Sequence, residues 1–252
     1  MDCLDQLITV CVGSAMESEW QYLGENRRES FEMSGISALI VDVDETLYPK
    51  HHPYHAAGTQ GEIAEIAHIL EKPYAETEMR IWSHRQELSV RFGRPAAMTE
   101  TVMSLGITRE QWNELRCRVW RPEEWFSLDT EVCVMLVLLR QRYRIAFGTN
   151  SPIAVGRRVL VALGVDKAVP DAPLFGSDAL GISKPHSDFF IRIAERLGFM
   201  PYQCLSIGDR VAIDGTPAIA AGYAGALIVP KGRDAFIAAT TQLFIGRERM
   251  EV

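Results

Sequence analysis

Four short runs, residues 38–43, 145–148, 205–207 and 226–229, are apolar at nearly every position instead of alternating with polar residues. A strand of that kind is buried on both faces, which is the pattern of a parallel sheet sandwiched between helices. A fifth run, residues 173–175, fits the same sheet. Helix-like segments lie between the runs. Ser151-Pro152 supplies a hydroxyl N-cap and a proline at the first helical position. Residues 188–197 place Phe189, Phe190, Ile193 and Leu197 on one face before Gly198 stops them, and residues 213–221 form another helix ended by Gly222. Strands alternating with helices predict right-handed crossovers and an α/β fold with a doubly wound, Rossmann-like, mostly parallel sheet.

One interval breaks that rhythm. From Asp42 to Thr149 the chain is far longer than one crossover needs, and residues 56–70, 75–92 and 109–119 read as helices punctuated by Pro73, Gly93-Arg-Pro95, Gly106 and Pro122. The reading is an inserted helical cap, residues 55–125, in a core of residues 34–54 and 126–252, behind an N-terminal extension of residues 1–33. Within that extension, residues 17–32 are charge-rich and suit an outer helix or a frayed arm. No chemistry is read in them.

Composition narrows the functions. With 47% hydrophobic and 23% charged residues the chain has enough apolar surface for a large core and is not a disordered one. A net charge of -7 argues against polymeric nucleic acid as a partner, since such proteins need a basic face. The five cysteines, Cys3, Cys11, Cys117, Cys133 and Cys204, form no C-x-x-C pair and suit idle thiols in a reducing compartment. The start of the chain lacks a basic segment before its apolar residues, and no apolar run approaches membrane-spanning length, so the expectation is a cytoplasmic protein without membrane contact.

The chemistry gathers at the ends of the runs. Asp42-Val-Asp44-Glu-Thr46 closes the first, Thr149-Asn150 the second, Lys184-Pro185 opens a helix-like segment, and Gly208-Asp209 with Asp214 follows the third. The carboxyl edge of an open α/β sheet is where ligands bind. Two carboxylates two residues apart suit covalent phosphoryl transfer, one attacking phosphorus and the other handling protons. Asp42, Asp44, Asp209 and Asp214 crowded together would repel one another unless cations or protons neutralise them. A hard divalent ion with oxygen ligands, Mg2+, fits best. Singly, each of these residues has a plainer reading: Asp44 a loop acid, Asp214 a helix cap, Thr149 a strand end, Lys184 a solvated charge. Their joint order favours the functional one.

In these motifs the chain resembles the haloacid dehalogenase-like (HAD) hydrolase superfamily, over about residues 36–250. The helical insert is similar to the family's cap, and the continuation Leu47-Tyr48-Pro49 is similar to the pyrimidine 5′-nucleotidase-like branch. The resemblance implies an aspartyl-phosphate mechanism, with Asp42 as nucleophile and Asp44 as acid and then base. It implies that Thr149 holds phosphoryl oxygens and that Lys184 offsets charge. It implies Mg2+ bound by Asp42, the Asp44 carbonyl, Asp209 and Asp214. An acid at position 44 favours phosphate esters, because relatives that cleave carbon–halogen or carbon–phosphorus bonds lack it. Asn150 and Arg210 join the expected phosphate- and substrate-binding set. For Arg210 the alternative, pairing with an acid such as Asp214 or Glu45, is preferred.

The expected activity is a Mg2+-dependent phosphomonoesterase acting on a small phosphorylated metabolite, a nucleoside monophosphate first and a sugar phosphate next. The alternatives are a phosphomutase and a non-catalytic binding or regulatory protein on the same scaffold. A protein phosphatase is disfavoured, because the carboxyl-terminal-domain phosphatases that share a similar first motif look capless. His51, His52 and His55 suit solvated or substrate-facing positions better than zinc. Arg80, Arg85 and Arg91 suit an exposed helix face balanced by Glu76, Glu78 and Glu87 better than an anion site. Trp82, Trp112, Trp120 and Trp125 suit the packing between cap helices, with one free to stack on a base.

Overall fold

A computed structural model describes residues 20–24 and 35–248. Its strands are β1 (Gln21–Leu23), β2 (Ala38–Val41), β3 (Arg144–Gly148), β4 (Leu174–Phe175), β5 (Cys204–Gly208) and β6 (Gly225–Ile228). They form one sheet in the order β1-β6-β5-β2-β3-β4, parallel except for β1, which runs antiparallel to β6. The five apolar runs are thus the five parallel strands. Residues 21–23 of the expected extension instead belong to the sheet; the rest of residues 1–33 except Trp20 and Gly24, including Cys3 and Cys11, lies outside the described residues.

Between β2 and β3 come α1 (Pro53–Ile69), α2 (Tyr74–Phe92), α3 (Met98–Ser104), α4 (Arg109–Val119), a 3-10 turn (Pro122–Glu124) and α5 (Thr130–Leu139). Next follow α6 (Ile153–Ala162), α7 (Val165–Ala168), α8 (Ser177–Leu180), α9 (Ser187–Leu197), α10 (Thr216–Ala220) and α11 (Arg233–Glu248). No helix of the described residues is long and apolar enough to cross a membrane.

The sheet is covered on both faces, which is why its strands show no alternation. Leu39 and Val41 of β2 join a core with α5, α6 and α11, whereas Ala38 and Ile40 join a second core with α9 and α10. The helices α1 to α4 own a third core, built from Ile63, Ile66, Ile81, Val102, Ile107, Trp112 and Leu115. The insert therefore has its own packed interior, as an inserted cap requires. Its first helix starts at Pro53, with the His52 side chain accepting the Tyr54 N–H at 3.2 Å. Both connections to the sheet are tied by aromatic contacts, with Phe126 4.7 Å from Tyr48 and 4.8 Å from Tyr54 between ring centroids.

One local expectation fails. Helix α6 begins at Ile153 with Pro152 as N-cap and no side-chain cap bond. The Ser151 hydroxyl donates to the Asp44 carboxylate at 2.9 Å instead. Asp178 caps the helix in its place, accepting the Ile153 N–H at 3.1 Å.

Candidate active site

The site grows from the centre of the sheet. Val41 stands opposite both Phe147 and Ile207, so Asp42, Thr149 and Asp209 leave three adjacent strands at the same carboxyl edge. The Asp42 N–H still donates to Ile207 at 2.8 Å, which fixes its side chain at the rim. Beyond it the chain turns sharply through Glu45, whose φ is 57°. Pro49 then bridges to Gly232, which delivers Lys50 to the same edge.

Asp42 is buried. Its Oδ2 accepts from the Thr46 hydroxyl at 3.0 Å and its Oδ1 from Lys184 Nζ at 2.6 Å. Lys184 Nζ also donates to Asp214 Oδ1 at 2.5 Å, so one buried ammonium bridges two carboxylates. Asp209 is held by Lys50 Nζ at 3.0 Å and by Arg210 Nε at 3.2 Å. Arg210 therefore pairs with an acid, as preferred, but the acid is the neighbouring Asp209. Its main-chain N–H reaches Asp214 Oδ2 at 3.2 Å. Asp214 lies in a π-turn, Val211–Gly215, whose wide loop aims its carboxyl back across the end of β5. That approach needs a glycine, since a Cβ on Gly208 would lie 2.3 Å from Asp214 Cγ. Gly148 has the plainer role expected of it, packing against Ile193 and Phe189.

Asp42, Asp209 and Asp214 each offer a carboxylate oxygen within 4.8 Å of the others. Burial raises the Asp42 pKa to about 8; Lys184 opposes the rise, while Asp214, Asp209 and Asp44 add to it. Asp209 is also raised, chiefly by burial. Burial works against the charge of Lys184, yet Asp214 and Asp42 hold its pKa above the ordinary lysine value. Three buried carboxylates this close together form an oxygen-only donor set that fits a hard divalent cation such as Mg2+.

Asp44 stands apart from this group. Its Oδ1 accepts from the Tyr48 hydroxyl at 3.1 Å, and its Oδ2 accepts from the Thr149 and Ser151 hydroxyls at 2.9 Å each. Among the described residues its side chain is thus outside the acid cluster. Thr149 reaches Asp44, and its oxygen also accepts the Ser151 N–H at 2.9 Å. Asn150 spends its amide on the main chain of Lys184, with Nδ2 donating to the carbonyl at 2.9 Å and Oδ1 accepting the N–H at 2.8 Å. It ties Lys184 to the end of β3 and also lines the cavity described next.

A cavity of about 170 Å³ lies between this edge and the inserted helices. Asp44, Lys184 and Arg210 line it from the sheet; His55, Trp82 and Arg85 line it from the insert. The three histidines do not converge, since His51 is exposed, His52 caps α1, and His55 meets Trp120 edge-on with ring centroids 5.5 Å apart. Trp112 and Trp120 are buried between cap helices as expected, whereas Trp82 and Trp125 are part-exposed. Arg80 and Arg91 are on the surface.

Arg116 was not among the residues singled out. From α4 it pairs with buried Glu62 at 2.9 Å and donates to the Asn150 carbonyl at 2.9 Å and the Ser151 hydroxyl at 3.1 Å. Lys50 was missed as well. The only sequence signal for it was its place just after the Tyr48-Pro49 turn that follows the first motif.

The site has counterparts elsewhere. A model of the haloacid dehalogenase-like hydrolases matches residues 36–222. A glyceraldehyde 3-phosphate phosphatase from Methanopyrus kandleri is 26% identical over 185 residues, 71% of this chain and 78% of that protein. A phosphoglycolate phosphatase from Xylella fastidiosa is 40% identical over 64 residues, 25% of this chain and 27% of that protein. In fold, the chain is similar to a HAD phosphatase from Thermococcus onnurineus, with a TM-score of 0.51 and 21% identity over 75% of this chain and 84% of that one. With the match running from the strand before Asp42 to the helix after Asp214, this chain belongs to the haloacid dehalogenase-like hydrolase family.

Proposed function

We propose that this enzyme is a Mg2+-dependent phosphomonoesterase that works through an aspartyl-phosphate on Asp42. One observation carries the reading: a buried carboxylate at the end of the central strand, bridged by Lys184 to a second acid, with a third acid within ligand distance. Three carboxylates here face three cations, Lys50, Lys184 and Arg210. Asp42, Asp209 and Asp214, with the Asp44 carbonyl, would hold Mg2+, which would supply positive charge to the phosphoryl oxygens and favour the ionised form of Asp42.

The side chains do the rest. An Asp42 oxygen attacks phosphorus and the ester oxygen leaves, taking a proton from Asp44. Asp44 then removes a proton from water, whose oxygen attacks the same phosphorus and frees Asp42 and inorganic phosphate. Tyr48, Thr149 and Ser151 hold Asp44 in place for both transfers. Lys184 keeps its charge beside Asp42 and counters the charge on the phosphoryl group.

The substrate is a compact phosphorylated metabolite. A cavity of about 170 Å³ is below the roughly 300 Å³ at the small end of ordinary ligand pockets. That size, with relatives named for glyceraldehyde 3-phosphate and phosphoglycolate, favours sugar-phosphate-sized esters over the nucleoside monophosphate expected first.

The test is phosphate release from nucleotides, sugar phosphates and phosphopeptides, with Mg2+ and with chelator. Release should be confined to small esters, require Mg2+, and fall on the order of a thousandfold or more in Asp42→Asn. Near-normal release by that variant would remove Asp42 as nucleophile. Isomer formation without phosphate release would make the enzyme a mutase.

A further inference from the structure

Cations line the cavity between the sheet edge and the insert, and nearly all are committed. Lys184 is bound to Asp42 and Asp214, Arg210 to Asp209, and Arg116 to Glu62. Arg85 of α2 is different. Its Nε donates to the Ala96 carbonyl at 2.9 Å and its guanidinium lies 5.7 Å from the centre of the Trp82 ring. Among the described residues no carboxylate pairs with it.

The acids of its own helix do not balance it as the sequence suggested. Glu76 pairs with Lys72 at 3.0 Å and Glu87 with His84 at 3.3 Å. Glu62 is near enough to favour the Arg85 charge but is already engaged by Arg116 and by Trp120 Nε1. Burial lowers the Arg85 pKa, and the neighbouring Arg210 lowers it further. A half-buried guanidinium with a second one nearby, both lining one cavity, is a standing electrostatic cost that an incoming anion relieves.

With Asp42 as nucleophile, the transferring phosphoryl group would sit against Asp42 and Lys184 at the sheet edge, whereas Arg85 reaches the cavity from the insert. We propose that Arg85 is a specificity-determining residue that binds a carboxylate on the leaving alcohol, so that the substrates are small phosphorylated hydroxy acids. This rests on the phosphomonoesterase reading above. The planar fork of arginine suits a carboxylate held by two parallel hydrogen bonds. The small cavity favours a carboxylate over a second, bulkier phosphoryl group.

The experiment compares 3-phosphoglycerate with glycerol 3-phosphate, which share a three-carbon skeleton and differ in a carboxylate against a hydroxymethyl group. It reads the ratio of their kcat/KM values in wild type, Arg85→Gln and Arg85→Lys. The wild-type ratio should favour the acid by about 10- to 100-fold, the range expected for a hydrogen bond to a charged group. Arg85→Gln should bring it close to one, and Arg85→Lys, which keeps the charge and loses the fork, should fall between. A wild-type ratio near one, or a ratio unchanged in Arg85→Gln, overturns the proposal while leaving the phosphatase reading intact. Preference for a sugar bisphosphate over both esters also overturns it. If neither ester is hydrolysed, calorimetry with glycerate decides the anion site. Binding at least tenfold weaker in Arg85→Gln than in wild type upholds it, and equal binding overturns it.

Discussion

Asp42 titrates against its surroundings, and that has a measurable consequence. Between the ordinary aspartate pKa of 3.8 and about 8, the folded protein keeps a proton on Asp42 that the unfolded chain has released. More protons bound to the folded state means that stability falls as pH rises through that window. In chelator, the urea midpoint should therefore drop from pH 5 to pH 8, and the drop should shrink in Asp42→Asn. Millimolar Mg2+ should oppose it by stabilising the ionised carboxylates. A midpoint in chelator that is flat or rises with pH in wild type, as in the variant, would contradict this account. At this scale the sequence was informative about identity and poor about direction. Asp42 and Asp209 were legible because strand ends bring them together whatever their rotamers, and Asp214 and Lys184 because they stand in motifs of recognisable order. The aim of Asn150 at the Lys184 main chain, and of Ser151 at Asp44, was not, because both depend on which acceptor the fold places nearest.

Among the elements, α4 ties the insert to the sheet edge through Arg116. Arg116 leaves it to meet Glu62 of α1 and then the Asn150 carbonyl and Ser151 hydroxyl beyond β3, with its guanidinium also over the rings of Trp112 and Trp120. Removing one member of a buried ion pair leaves the other uncompensated, typically at about 3–5 kcal/mol. Arg116→Met should lose about that much in urea unfolding, and adding Glu62→Gln should recover a large part. A loss under about 1 kcal/mol would mean that the pair is solvated. The helices themselves were legible from their periodicity and their glycine and proline stops. The short α3 was not separated from its neighbours, because seven residues give too little periodicity to read. The partnership of Glu62 with Arg116 joins positions far apart in the chain and has no local signature.

At the scale of the whole molecule, the sheet and its insert follow from apolar patterning, and the site follows from where a parallel sheet gathers its strand ends. What escaped was β1. Its residues, Gln21-Tyr22-Leu23, sit in a charge-rich stretch with no apolar run around them, and only pairing reveals them as a strand. The Tyr22 hydroxyl donates to the Ala224 carbonyl at 3.1 Å, and its ring occupies the space that a Cβ on Gly225 would take. Without those three residues β6 would end the sheet as an open ladder of unpaired amides and carbonyls, on a strand buried at every position. At the opposite border β4 is only two residues long, too short to template a growing strand. A chain beginning at residue 35 should therefore self-associate, seen as rising mass in light scattering with concentration, and an unchanged monodisperse mass would refute this. The stretch that reads as having no chemistry would then decide whether the enzyme remains in solution or polymerises along β6.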